Sequence, residues 1–201
     1  MIILTSDGLS SDALLANAGK YISSGKAALV VTADNEYKEK NYHVERLTRE
    51  LQMLGLTVEI FDFDVQTPKE LEYYDVVEMI GGNPYYLLDS IRKNGFVEVL
   101  REFAANRCII GCSAGALVLT PTLALVDELT PEMNIVNLRD LSACNLTDIC
   151  IMPHYSKFSK RYTVLEEKCN RFERENNCRL IRLDDGDAVV IESGKANVIR
   201  K

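Results

Sequence analysis

Histidine is scarce in this chain: 201 residues hold only two, His43 and His154. Any mechanism that needs an imidazole base has just those two to choose from. Six cysteines (Cys108, Cys112, Cys144, Cys150, Cys169 and Cys178) lie scattered without a CxxC pair. That spacing suggests neither a zinc site nor a dense disulfide framework, so the thiols read as free and buried in a reducing compartment. No stretch approaches the roughly 18 apolar residues of a membrane span. The opening MIILTSDG has no basic segment leading into a long apolar run, so no secretion signal is expected and the cytoplasm is the expected location. Positive charge is also in deficit, with 23 Lys and Arg against 30 Asp and Glu and a formal net charge of −7. A field of that sign disfavours nucleic acid and anionic membrane surfaces as partners. A small substrate is expected instead.

What is present fits one globular domain over residues 1–201, with 47% hydrophobic and 26% charged residues. Short β-rich apolar runs alternate with segments of helical period. Strands are expected at about Met1 to Thr5, Ala27 to Thr32, Thr57 to Asp62, Asp75 to Ile80, Arg107 to Gly111 and Ile149 to Met152. This rhythm predicts an α/β, flavodoxin-like three-layer sandwich whose mostly parallel sheet is covered on both faces. Val44, Leu47, Leu51 and Leu54 form the apolar stripe of one helix, and Gly55 sits where that helix would stop. Thr67 before Pro68 and Asn83 before Pro84 mark two further starts. The stretch from Thr120 to Asp148 reads as irregular structure beside the site, and a longer helix is expected from about Lys157 to Asn176. Arg179 to Leu183, Asp187 to Glu192 and Lys195 to Arg200 read as antiparallel strands joined by tight turns, giving the sheet an antiparallel C-terminal edge.

The chemistry concentrates in RCIIGCSAG, Arg107 to Gly115, where an apolar strand runs into GxSxG and then the helix-forming ALVL. Such an elbow strains the serine backbone and projects its Oγ, and it needs tiny neighbours two positions away, here Gly111 and Gly115. Ser113 is the candidate nucleophile. The amide of Ala114 then points where negative charge develops on an attacked carbonyl. A second donor is expected from the strand end Ile80, Gly81, Gly82, Asn83, with Gly82 favoured because a backbone amide approaches a ligand closely where no Cβ intervenes. Gly81 and Asn83 are placed with the substrate, although Asn83 serves equally well as a helix cap.

Of the two histidines, His43 lies among Lys, Asn and Glu and reads as a solvated surface residue. His154 follows the apolar run ICIMP at a strand end, where ligands of open α/β sheets collect, and is the candidate base. Two acids compete to orient it: Asp185, on a turn after a strand, and the pair Asp127 and Glu128. The first is favoured because a tight turn fixes a carboxylate better than an irregular segment does. Asp184 and Asp187 read as residues that shape the turn.

Taken together, IGGNPYYLL (Ile80 to Leu88), IIGCSAGA (Ile109 to Ala116), PTL (Pro121 to Leu123), Asp127 and Glu128, MPHY (Met152 to Tyr155) and LDDGDAVVIESGKA (Leu183 to Ala196) resemble peptidase family S51, the peptidase E family, across most of the chain. The resemblance implies a fold related to class I glutamine amidotransferases, a Ser113/His154/Asp185 triad, and oxyanion donors on Gly82 and Ala114. It implies a serine peptidase acting on small peptides, including Asp-X dipeptides. The acyl-transfer chemistry itself requires no cofactor or metal, and a monomer or homodimer is expected. Two departures stand out. The family's acid is glutamate, so Asp185 has a shorter reach. The family's aspartyl dipeptidases also carry a longer basic loop after the histidine, and here only Lys157, Lys160 and Arg161 stand near His154; Arg161 is placed with the substrate. The rivals are an amidohydrolase or glutamine amidotransferase-like enzyme using Cys112, and a non-catalytic binding module of the same fold.

Overall fold

A computed structural model describes all 201 residues. In chain order the first half contains β1 (Ile2–Thr5), α1 (Asp12–Ala18), β2 (Gly25–Val30), α2 (Val44–Met53), β3 (Leu56–Phe61), β4 (Val76–Met79), α3 (Pro84–Lys93), α4 (Phe96–Asn106) and β5 (Cys108–Cys112). The second half contains the short helices α5 (Ala114–Leu117) and α6 (Ala124–Asp127), then β6 (Cys150–Met152), α7 (Tyr155–Arg161), α8 (Leu165–Asn176), β7 (Leu180–Arg182), β8 (Ala188–Glu192) and β9 (Lys195–Ile199). Seven strands form one sheet in the order β3-β2-β4-β5-β1-β8-β9. The first five run parallel, and β8 and β9 add the antiparallel edge. With helices flanking this sheet, the flavodoxin-like α/β sandwich is the observed fold.

The central strands β1, β4 and β5 are buried along their whole length, as strands covered on both faces must be. Helix α2 turns Leu47 and Leu51 into the core and ends at Gly55, whose φ of +81° only glycine adopts without cost. Asn83 caps α3: its side-chain oxygen accepts the amides of Tyr85 and Tyr86 at 3.0 and 3.1 Å, with Pro84 next in the chain. The Thr67–Pro68 start opens a 3-10 turn instead of an α-helix.

Two sequence expectations are corrected. The helix expected over Lys157 to Asn176 is two helices, because α7 ends at Arg161, Tyr162 is extended and α8 begins at Leu165. The strands β6 and β7 belong neither to the main sheet nor to an antiparallel edge; they pair parallel with each other, Cys150 opposite Leu180 and Met152 opposite Arg182. Their apolar side chains, Cys150, Met152 and Leu180, bury against Leu125, Leu165 and Phe172 from α6 and α8 in a small core of their own. Three-residue strands cannot announce their partner by periodicity, since each shows only one full alternation.

Candidate active site

Strands β4, β5 and β1 lie side by side and parallel, so the chain leaves all three at the same edge of the sheet. Ser6 follows β1, Gly81 and Gly82 follow β4, and Ser113 follows β5. Crevices beyond such strand ends are where open α/β sheets collect ligands.

Ser113 sits at φ +50° and ψ −107°, a conformation that costs an L-residue about 1–3 kcal/mol and persists only when its surroundings enforce it. Here they do. The Ser113 amide donates to the Thr5 carbonyl at 3.0 Å, and α5 starts at once. A Cβ on Gly115 would strike the Met79 carbonyl, so strand and helix meet only because that position is bare.

His154 also has positive φ (+54°), at the junction of β6 with α7. Its Nε2 lies 3.0 Å from Ser113 Oγ and its Nδ1 lies 2.5 Å from Asp185 Oδ1. Asp185 follows β7, the partner of β6, which brings the acid beside the imidazole despite its short side chain. Asp184 accepts the Ser156 amide at 2.7 Å, and Asp187 accepts the Asp184 amide at 3.1 Å, so both flanking aspartates shape the turn.

Ser6 is a residue that the sequence reading missed. Fully buried, it accepts the His154 amide at 2.9 Å, donates to Asp185 Oδ1 at 3.0 Å and lies 3.3 Å from His154 Nδ1. Its position just past the end of β1 is the one signal that could have found it. Partial burial opposes ionisation of Asp185, but hydrogen bonds from Lys157, His154 and Ser6 outweigh it and hold the carboxyl at about 2. An ionised Asp185 accepts from Nδ1–H, which leaves Nε2 as the acceptor facing Ser113.

Gly82 adopts φ +149°, and a Cβ there would collide with the Ala33 carbonyl. Its amide and that of Gly81 donate to no backbone acceptor. Ala114 opens α5, and the first amides of a helix lack partners within it. Gly81 packs against the nucleophile: a Cβ on it would lie 3.3 Å from Ser113 Cβ.

An open cleft of about 560 Å³ lies over these groups, lined also by Asp7, Tyr42, His43, Arg46 and Lys157. His43 is therefore half-buried in the cleft wall and is not the solvated surface residue expected; burial, then the nearby Arg46, push its pKa down. Arg46 is held by Glu50 and by the Asp7 carbonyl at 2.6 Å.

Several candidate residues fall elsewhere. Asp127 accepts from Tyr85 Oη at 3.1 Å and Glu128 pairs with Arg171, so neither alternative acid reaches His154. Arg161 is exposed at the end of α7, stacked over the Tyr162 ring and outside the cleft; the cation that arrives is Lys157, paired with Asp185. Asn83 is occupied by its cap and by a 2.7 Å bond to the Met133 carbonyl. Cys112 is buried at the end of β5, and burial drives its thiol far above the ordinary range. A thiolate nucleophile at that position is disfavoured.

Residues 3–199 match the model of peptidase family S51. The chain belongs to that family. As an S51 member it is a serine-type peptidase and hence a hydrolase. An uncharacterized peptidase of Listeria monocytogenes serovar 1/2a is 31% identical to this S51 chain over 137 residues, 66% of this chain and 67% of that protein. Peptidase E of Shigella flexneri is 26% identical over 167 residues, 78% of this chain and 69% of that protein. Two solved structures share its fold. One is of a candidate peptidase E protein from Listeria monocytogenes EGD-e, with TM-score 0.80 and 23% identity over 100% of this chain and 98% of that one. The other is a peptidase from an acI-B1 Actinobacterium, with TM-score 0.70 and 18% identity over 100% of this chain and 87% of that one.

Proposed function

We propose that this S51 peptidase hydrolyses short peptides through an acyl-enzyme, with Ser113 as nucleophile, His154 as base and Asp185 as the group that orients the base. The observation that carries this reading is the unbroken hydrogen-bonded line from Ser113 Oγ through His154 to Asp185, at 3.0 and 2.5 Å. Both spacings lie within or close to the reach that proton transfer and orientation require.

As the hydroxyl attacks a peptide carbonyl, its proton passes to His154 Nε2 and an Oγ–C bond forms. Negative charge gathers on the carbonyl oxygen, where the Gly82 and Ala114 amides are the donors. The imidazolium, facing ionised Asp185, returns the proton to the leaving nitrogen as the C–N bond breaks. Water then attacks the ester with His154 again accepting a proton, the Oγ–C bond breaks, and the acid and free serine are restored. The residues that perform each step are all supplied by the chain.

An Asp-X preference has little support in the cleft: Lys157 is engaged by Asp185 and Arg46 by Glu50. No helix is long and apolar enough to cross a membrane.

Ser113→Ala is expected to abolish hydrolysis of a dipeptide amide panel while leaving the urea unfolding midpoint within experimental error. An organophosphonate should label Ser113, and a thiol reagent should leave turnover intact. Retained turnover in the alanine variant, or inactivation through Cys112, removes the reading.

A further inference from the structure

Ser113 borders a second space besides the open cleft. A hollow of about 80 Å³ is walled on one side by Gly82, Ser113, Ala114 and His154. The rest of its wall is apolar, chiefly Leu117, Val126, Leu129, Met133, Met152 and Phe158. No Asp, Glu, Lys or Arg lines it. The one other polar side chain there, Thr130, lies 3.3 Å from the Val126 carbonyl as its donor. Helix α6 and the turn after it supply Val126, Leu129 and Thr130, while the carboxylates of Asp127 and Glu128 are taken by Tyr85 and Arg171. The open cleft differs sharply, since Asp7, Arg46, Lys157 and Asp185 give it charge of both signs.

We infer that this hollow is the subsite for an aliphatic side chain on a residue flanking the scissile bond. The inference rests on the serine-peptidase reading of Ser113 and adds the substrate class. A substrate carbonyl placed between Ser113 Oγ and the Gly82 and Ala114 amides touches three groups that also line the hollow, so the side chain on one side of that carbonyl has it as its nearest enclosed space. Its volume is about half the roughly 150 Å³ of an apolar cavity that takes up benzene, a size suited to Val or Leu and too small for a large aromatic ring. A charged side chain entering it would lose its water and find no partner among these walls. Each methylene that fits is worth about 10-fold or more in kcat/KM.

The test is kcat/KM on two dipeptide series, one varying the acyl-side residue and one the leaving-side residue through Gly, Ala, Val, Leu, Phe, Asp and Lys. In one series Val and Leu should exceed Gly by about 10-fold or more, with Asp and Lys at the bottom; which series shows it tells which side of the bond enters. Val126→Phe should cut the Leu to Gly ratio at least about 10-fold, and Met133→Ala should move the optimum toward Phe. Labelling of Ser113 by a small organophosphonate counts intact sites in each variant, so misfolding is read separately. Aminoalkyl phosphonate probes bearing the same side chains give a second ranking that does not need turnover. Labelling of Ser113 with Asp or Lys members leading, or variants that scale every substrate alike, overturns the subsite and leaves the serine mechanism standing. Absence of both hydrolysis and Ser113 labelling overturns the mechanism and the subsite together.

Discussion

Replacing Asp185 with asparagine keeps the shape of the turn and removes one charge. The carboxyl is held at about 2 in the folded chain, against 3.8 for a free aspartate. Each tenfold in acidity is worth ~1.4 kcal/mol, and since solvent screens a carboxyl this exposed, the ionised group contributes on the order of 1 kcal/mol to stability at neutral pH. Because the folded value lies below the unfolded one, that contribution is complete above about pH 4 and is lost as pH falls toward 2. Asp185→Asn should therefore unfold at lower urea than the wild type at pH 7, with the difference shrinking below pH 4. Activity should suffer far more. An amide can donate to Nδ1, which puts the imidazole proton on Nε2, facing Ser113, and makes it useless as a base; a loss of about 10⁴-fold in kcat is expected. Urea unfolding from pH 7 to 2.5 and steady-state kinetics at pH 7 read the two effects. A kcat within tenfold of wild type, or a stability difference that ignores pH, would refute the role given to Asp185.

Ser6→Ala removes a hydroxyl that holds both the His154 amide and Asp185; kcat should fall about 10- to 100-fold with little change in KM, the acid-side stability loss should begin at higher pH, and Ser6→Thr should recover part of the rate. Glu78, in the middle of β4, is fully buried and neither carboxylate oxygen has a partner. Burial pushes its carboxyl well up, so the folded chain retains a proton that the unfolded chain gives up. Wild-type stability should decline as pH rises above about 4.5, the unfolded value. Glu78→Met should remove that slope and raise stability by about 1–3 kcal/mol, as read from urea midpoints at pH 5 and 8.

Much of this architecture was legible from pattern. The apolar runs that became β1, β4 and β5 announce themselves because parallel strands buried on both faces are mostly hydrophobic, whereas β3, at the edge of the sheet, shows alternating burial. GxSxG specifies its own local geometry, which is why Ser113 could be named from the sequence, and His154 followed from scarcity. Asp185 against Asp127 could not be decided until the β6–β7 pairing was visible, since that pairing sets residues 154 and 185 at the ends of neighbouring strands. Arg161 misled because a helical turn separates it from Lys157, and only the orientation of α7 says which cation meets the cleft. His43 misled for the complementary reason: its sequence neighbours are polar, while Asp7, His154 and Lys157 from distant segments join Arg46 around it in the fold. Ser6 offers only its place past the end of β1, and its partners lie 148 and 179 positions away.

The base and its acid ride on a miniature sheet of their own, whereas the nucleophile is fixed to the large one. Relative sliding of the two bodies would leave the imidazole–carboxylate couple whole and open the gap to the hydroxyl. Contacts bridging them, such as the Ser6 hydroxyl, which accepts the His154 amide at 2.9 Å and donates to Asp185 at 3.0 Å, thus act as the alignment pins of the machine. A loosened chain would lose its capacity to attack while the His154–Asp185 contact stayed closed.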